Sequence, residues 1–219
     1  MAKFLFAICA VVISTGFYVR PGAATCARPP GFKDTPHPAV APADRLVSHS
    51  EDIIIDRPLT VALSAADKPL QNALQHPNSL PGVAGEVSLT NGEFGMPGSR
   101  RLVCLSDGST LEEQALVREQ DSHSYRFRYV VWNYTTVKAR PIVYGVGEFL
   151  YSRLDDGSTR VHWTYAFELN RHRFPGYLGS VGDFLFRVGF LDRQYAEMMR
   201  ETLKGLKTDA ESGKVVDRR

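Results

Sequence analysis

The sequence predicts one α+β domain, in which a strand and two short helices precede a run of further strands and a long C-terminal helix. A β-branched run at Ile53–Ile55, ended by Pro58, predicts the first strand. Asp-Gly pairs at 107–108 and 156–157 lie between strand-like runs, which is the strongest short-range signal for a β-hairpin. Apolar residues at helical spacing across 181–206 predict the last helix.

The intervening elements follow from the same patterns. Apolar residues at helical spacing between Leu59 and His76 predict a helix, which Pro69 divides into two short ones. The strand-like runs that follow are 102–105, 110–117, 123–134, 142–151 and 159–169. The order of elements therefore predicts an antiparallel sheet accompanied by a final long helix.

Length and composition are those of an ordinary folded chain. Of 219 residues, 43% are apolar and 23% charged, which excludes a disordered chain, a collagen-like repeat and a multi-span membrane protein. The formal net charge of +2 provides no basic stripe, so we expect no nucleic-acid partner. Three cysteines are too few for a disulfide framework and lack zinc-site spacing. We expect no metal and no cofactor.

Residues 1–27 have the pattern of a secretory signal peptide. Lys3 precedes an apolar run, Phe4–Ile13, with weaker apolar character up to Tyr18, and small residues follow from Gly22. Cleavage after residue 24 or 27 would export the chain to the periplasm or the medium. The alternative is an uncleaved anchor, in which residues 4–19 hold the protein at a membrane.

The remaining boundaries follow from composition. Residues 28–50 contain five prolines and no apolar periodicity, which predicts an extended, mobile linker. Cys26 borders this segment, so we expect Cys26 and Cys104 to be free thiols. The folded domain is predicted at 51–207 and a polar tail at 208–219. We expect a monomer.

The second Asp-Gly turn assigns side chains to faces of the sheet. A two-residue loop at 156–157 pairs Glu148 with Tyr165 and Leu150 with Trp163, because side chains alternate along each strand. The predicted inner face then carries Val146, Glu148, Leu150, Leu154, Val161, Trp163, Tyr165 and Phe167. Glu148 is therefore expected to point inward.

The first Asp-Gly turn gives a similar assignment. A two-residue loop at 107–108 pairs Leu102 with Glu113, which brings Arg100 and Glu113 to the inner face as diagonal neighbours. In the next strand the inner face is expected to carry His123, Tyr125, Phe127, Tyr129 and Val131.

This predicted inner face is unusually polar for a buried one. An ionised group without a partner costs several kcal/mol to bury. A dense core could accommodate Arg100–Glu113 as an ion pair and His123 as a satisfied histidine. A wet or ligand-filled cavity would explain all the polar groups together, and we favour it.

Local motifs resemble the START-like (SRPBCC) superfamily of polyketide cyclases, lipid-transfer domains and birch-pollen allergens. The similar segments are Leu80–Val83, Gly98–Arg101 with Asp107-Gly108 and Glu112-Glu113, and Thr159–Trp163. The resemblance implies a helix-grip fold, in which a long C-terminal helix crosses a curved seven-stranded antiparallel sheet. It also implies a hydrophobic ligand between the sheet and that helix.

Two functional hypotheses follow, and a third stays open. The first is a module that binds or transports a lipid, sterol or aromatic polyketide-like molecule. Its expected lining is Phe127, Tyr129, Val131, Glu148, Leu150, Trp163, Tyr165, Phe167, Phe184 and Val188. The second is a cyclase or dehydratase that uses acid–base groups in the same cavity, with candidates Glu148, His123, Tyr129 and Arg100. The third is a structural or partner-binding domain without a ligand.

Overall fold

The computed structural model describes residues 26–76 and 79–213. The predicted signal sequence therefore lies outside the described residues up to position 25, as does the end of the polar tail from position 214. The described part of the chain contains no helix with both the length and the apolar character needed to cross a bilayer.

Seven antiparallel strands form one curved sheet, as predicted. The strands are β1 (Val47–Ile55), β2 (Val83–Ser88), β3 (Arg100–Leu105), β4 (Thr110–Gln120), β5 (Ser124–Trp132), β6 (Ile142–Arg153) and β7 (Thr159–Leu169). Their order in the sheet is β1-β7-β6-β5-β4-β3-β2. The first strand crosses to the far edge beside β7, and every other neighbour in the sheet is sequential.

The helices lie on one face of the sheet. The short helices are α1 (Leu59–Ala66) and α2 (Leu70–Ala73), separated by Pro69 as predicted. The C-terminal helix consists of α3 (Ser180–Phe186), a π-helical segment (Arg187–Tyr195) and α4 (Ala196–Glu211). We call the sheet face that packs against α4 the inner face and the opposite one the outer face. The α+β helix-grip expectation is confirmed.

Both predicted hairpin loops are one residue too short. The β3–β4 loop is Ser106-Asp107-Gly108, closed by the Leu105 N–H, which donates to the Ser109 carbonyl at 2.8 Å. Only the glycine has positive φ, at +81°, whereas a two-residue type I′ turn needs positive φ at both central residues. The β6–β7 loop repeats this geometry, with Gly157 at φ +84°.

The extra loop residue exchanges the inner and outer side chains of the strand that precedes each turn. Arg101, not Leu102, pairs with Glu113, and Phe149, not Leu150, pairs with Trp163. The strand β7 keeps its predicted face, as the burial of Val161, Trp163, Tyr165 and Phe167 in the inner core shows, and β4 keeps its predicted face only up to a bulge between Ala115 and Val117. The predicted inward orientation of Glu148 is therefore wrong, because a one-residue shift exchanges the two faces of a strand.

The proline-rich segment lies against the outer face of the sheet. Residues 26–46, here called the strap, place Val40, Ala41 and Leu46 against a cluster of outer-face side chains. The Ala41 N–H donates to the Tyr144 hydroxyl at 2.8 Å, and β1 starts immediately after the strap at Val47. This packing replaces the mobile linker predicted from proline content, because the outer face carries apolar side chains that the strap covers.

A disulfide joins the strap to the sheet. Cys26 is bonded to Cys104 of β3, with 5.6 Å between their Cα atoms. Gly85 of β2 lies beside this bond, and a Cβ at that position would be 2.9 Å from the Cys26 Cβ. The expectation of two free thiols is wrong, because the one-residue shift in β3 turns Cys104 to the outer face, where the strap lies.

Candidate functional site

A cavity of about 690 Å³ lies between the inner face of the sheet and the helices α1, α2 and α4. Its apolar wall is formed by Leu63, Leu70, Leu74, Phe94, Tyr125, Phe127, Tyr129, Phe149, Tyr151, Trp163, Leu203 and Leu206. Exposed polar residues, including Glu93, Arg118 and Gln120, line it as well. The cavity therefore has an aromatic interior and a polar rim, as is usual for sites that bind small molecules.

Aromatic rings in contact with one another form the sheet side of the cavity. The Phe149 ring stacks on Trp163 with 4.5 Å between centroids, and Phe127 stacks on Tyr129 at 5.6 Å. Tyr151 packs beside Phe149 at 6.2 Å. These rings come from three adjacent strands, so the sheet holds a broad, flat and rigid aromatic surface toward the cavity.

A buried ion pair lies at the edge of this aromatic surface. Arg101 donates from Nε to Glu113 Oε2 at 2.7 Å and from Nη1 to Glu86 Oε2 at 2.6 Å. The guanidinium also lies 3.8 Å from the centre of the Phe94 ring. Burial would lower the pKa of Arg101, but the Glu113 and Glu86 carboxylates outweigh it and raise that pKa above its ordinary value. The cluster therefore carries one positive and two negative charges.

Glu113 retains an unused acceptor. Its side chain is buried, with 5% exposure, and both of its contacts with Arg101 end on the same oxygen, Oε2. Among the described residues, Oε1 accepts no hydrogen bond. A ligand hydroxyl or amide N–H would satisfy this oxygen.

The Trp163 indole N–H is a second buried group without a hydrogen bond of normal geometry. It interacts with the Tyr129 hydroxyl, but too weakly to offset burial, which together with the nearby Glu113 charge raises the pKa of Tyr129 well above its ordinary value. Tyr129 is therefore neutral at physiological pH. Glu113, Tyr129 and Trp163 together form the polar end of the cavity.

Tyrosines continue inward beyond this polar end. The Tyr165 ring packs on Tyr195 with 4.7 Å between centroids, and Tyr134 lies beside it next to Gly145. Burial raises the pKa of all three tyrosines. Glycines of β6 make room for the rings: a Cβ at position 147 would lie 2.1 Å from the Tyr129 ring. A Cβ at position 145 would lie 2.6 Å from the Tyr165 ring. Glycine is thus required at both positions to admit the tyrosines.

The other half of the groove under the C-terminal helix is filled by side chains. Phe186, Phe190 and Tyr195, from α3 and the π-helical segment, all pack on Phe167 with centroid distances of 5.1 to 6.2 Å. The cavity does not reach these residues. It is confined to the half of the groove beneath α4.

Several predicted ligand-binding residues lie at the cavity or beside it. Phe127, Tyr129 and Trp163 line the cavity directly. Val131, Tyr165 and Phe167 lie in the adjoining core of the inner face without lining the cavity.

The other predicted ligand-binding residues lie elsewhere. Glu148 is on the outer face, 3.1 Å from Arg126, and Leu150 is 37% exposed on the same face. Phe184 is 61% exposed on α3, and the half-buried Val188 lies in the π-helical segment, outside the cavity lining. The residues of the C-terminal helix that do line the cavity come from α4, one helical segment later.

Three of the four acid–base candidates lie outside the cavity. Glu148 faces outward, His123 is exposed at the β4–β5 turn, and Arg100 is on the outer face with Glu112. Only Tyr129 lines the cavity. Three-residue loops in the two hairpins would have assigned Arg101 and Phe149 to the inner face from sequence alone.

No group of three or more His, Cys, Asp or Glu side chains within residues 26–76 and 79–213 is arranged to hold a metal ion. The carboxylates at the cavity are either paired with Arg101 or lie at the rim.

No protein-family profile matches the chain, and no curated protein is similar to it in sequence. Solved structures do share its architecture. A hypothetical protein from Helicobacter pylori has a TM-score of 0.55 at 10% identity, over 81% of this chain and 99% of that one. The di-domain ARO/CYC protein StfQ from the steffimycin biosynthetic pathway has a TM-score of 0.54 at 16% identity, over 77% of this chain and 52% of that one. Ara h 8.0201 has a TM-score of 0.48 at 13% identity, over 76% and 98%.

Proposed function

We propose that this chain binds a hydrophobic small molecule in the cavity beneath α4. The observation that supports the proposal is the cavity itself, about 690 Å³ in volume and walled by aromatic and aliphatic side chains. Volumes of this size are typical of sites for drug-sized ligands. A domain without a ligand would be expected to fill this half of the groove, as Phe186, Phe190 and Tyr195 fill the other half.

Binding is favoured over catalysis because the cavity holds few groups suited to proton transfer. Glu113 is tied to Arg101, and burial keeps Tyr129 protonated. The ARO/CYC protein StfQ shares the fold, so a cyclase-type reaction is the second candidate. In this chain such a reaction would depend on Glu113 and Tyr129, in place of the outward-facing Glu148.

We further propose that the binding protein is exported. Disulfides persist in oxidising compartments outside the cytosol, and the Cys26–Cys104 bond agrees with the secretory pattern of the first 27 residues. Cleavage of that segment, anchoring by residues 4–19 and the monomeric state stay predictions.

The binding proposal can be tested by filling the cavity. Ala66→Trp with Leu206→Trp places two indoles in the cavity from its helical side, one on α1 and one on α4. Native mass spectrometry of protein purified from its own host should show an apolar ligand on the wild type and none on this variant. Val181→Trp with Leu185→Trp, at exposed positions of α3, is the control that should retain the ligand. A wild type that carries no ligand and binds no aromatic probe would contradict the proposal.

A further inference from the structure

We propose that an exposed apolar patch at the start of the C-terminal helix docks the protein on the surface of an anionic lipid bilayer. The apolar patch consists of Phe174, Tyr177, Leu178, Val181, Phe184 and Leu185. It belongs to α3 and to the turn before it, outside the lining of the cavity beneath α4. The inference therefore goes beyond the proposed binding function.

The apolar patch contains most of the large hydrophobic side chains that are exposed to solvent. Of the eleven such side chains in the part of the chain that the structure describes, six lie between positions 174 and 185. Phe174 and Phe184 are each 61% exposed. Single exposed apolar side chains are normal on a protein surface, whereas a contiguous group of them marks an interaction site.

Close contacts fix the two parts of the apolar patch to each other. The turn Gly176–Leu178 packs against α3, and a Cβ at Gly182 would lie only 2.0 Å from the Pro175 carbonyl oxygen. Arg171 donates to the Asp183 carboxylate at 2.7 Å, which ties the chain that follows β7 to the same helix. The apolar patch is therefore part of the folded structure.

The side chains of the apolar patch are neighbours. Val181, Phe184 and Leu185 share one face of α3, because residues three and four apart lie side by side on a helix. In the segment before α3, the rings of Phe174 and Tyr177 are 6.1 Å apart. The patch thus presents aromatic and aliphatic groups together on one surface.

Arginines border the apolar patch. Arg173 precedes it in the chain, and Arg187 follows Phe184 by three residues, about one helical turn along the same side. Both arginines are exposed. The one acidic residue between positions 171 and 187 is Asp183, which forms an ion pair with Arg171. The border is therefore positively charged, which complements the phosphates of anionic lipids.

A bilayer fits the apolar patch better than a second protein does. A stable protein–protein interface takes about 20–30 residues from each partner, many more than the six apolar side chains here. In a symmetric dimer the patch would face its own copy, so that Arg173 and Arg187 would meet like charges. Shallow insertion at the headgroup boundary needs only an aromatic and aliphatic surface bordered by cations.

The test places a tryptophan in the apolar patch of the full chain and quenchers in the bilayer. Tyr177→Trp adds an exposed indole, whereas the native Trp132 and Trp163 are buried. Vesicles of phosphatidylglycerol and brominated phosphatidylcholine should quench the added emission, because bromine on the acyl chains quenches only an indole that reaches them. The control is Ile54→Trp, at an exposed position that pairs with Arg160 at the opposite end of β7, and it should not be quenched. Quenching of neither variant, or equal quenching of both, would overturn the inference. Because the readout is local to the patch, attachment through residues 4–19 does not imitate it.

Two matched variants test the role of charge. In the Tyr177→Trp background, Arg173→Gln with Arg187→Gln should weaken docking about thirtyfold, because each arginine near an anionic surface contributes about a factor of five. Arg153→Gln with Arg160→Gln removes the same charge from the opposite end of β6 and β7. That variant should change docking less than about twofold, because salt screens charges beyond about 10 Å. Equal losses in the two variants, or no loss in the first, would overturn the choice of an anionic surface.

Analytical ultracentrifugation without lipid tests the alternative occupant, a second copy of the chain. We expect no change in oligomeric state between the wild type and Phe174→Ser with Phe184→Ser, whose altered side chains are exposed. A wild-type dimer that this variant converts to monomer, together with the absence of quenching by vesicles, would assign the apolar patch to self-association and overturn docking on lipid. The cavity-filling variants test the binding function separately, so the failure of one proposal leaves the other unaffected.

Discussion

Consecutive residues of β3 and β4 form an arginine–glutamate ion pair on each face of the sheet. Arg100 pairs with Glu112 on the outer face, and Arg101 pairs with Glu113 on the inner face. On the outer face both oxygens of Glu112 are used, one by Arg100 and the other by Asn133. On the inner face both contacts that Arg101 makes with Glu113 end on the same oxygen, Oε2.

The difference lies in what covers each pair. The strap supplies the Asp34 carboxylate and the Thr35 carbonyl to Arg100, and the guanidinium lies 5.1 Å from the centre of the Trp132 ring. On the inner face the guanidinium of Arg101 lies 3.8 Å from the centre of the Phe94 ring, and Arg101 and Glu113 both line the cavity. The same pair of residue types therefore lies under the strap on one face and borders the cavity on the other.

The largest expected effect comes from freeing the strap. Cys26→Ser with Cys104→Ser removes a bond that closes a loop with a sequence separation of 78 residues, which corresponds to about 4 kcal/mol of unfolding free energy. Urea denaturation should show this loss, and reduction of the wild type should reproduce it. If the variant is as stable as the wild type, and peptide mapping of the wild type finds the thiols of Cys26 and Cys104 free, the disulfide is wrong.

The ion pairs should differ in their contribution to stability. Arg100→Met leaves Glu112, which is 0% exposed, buried without its charge partner, and should cost about 3 kcal/mol. Arg101→Met should cost about 1 kcal/mol, because water in the cavity can solvate Glu113. Chemical denaturation of the two variants measures both values. A larger loss for Arg101→Met would show that the inner pair is the structural one.

A smaller effect tests the register of β6. Phe149→Ala removes a half-buried ring that stacks on Trp163. It should cost about 2 kcal/mol, less than a fully buried phenylalanine, and weaken binding of an aromatic probe such as pyrene. Leu150→Ala, at the neighbouring exposed position, should change stability by less than about 0.5 kcal/mol. Chemical denaturation measures both stabilities, and quenching of tryptophan emission by pyrene measures binding. The opposite result would indicate that Leu150 faces inward, as a two-residue loop predicts.

The sequence predicted the fold better than the site. The order of elements and the inner faces of β5 and β7 follow from period-two alternation, which is local. The faces of β3 and β6 depend on the loop length, and the sequence Asp-Gly is compatible with both two- and three-residue loops. A single loop residue exchanged Arg101 for Arg100 and Phe149 for Leu150 at the inner face.

The sequence by itself determined the order of the strands and helices of the helix-grip architecture. Strand alternation, turn glycines and helical spacing are local signals, because each depends on residues close together in the sequence. Only the tertiary structure decided that the strap covers the outer face, that Cys26 reaches Cys104, and that the groove is hollow beneath α4 but filled beneath Phe186 and Phe190. These features depend on contacts between segments far apart in the chain. The packing of such segments sets the volume of the cavity between them, and local sequence patterns do not predict that packing.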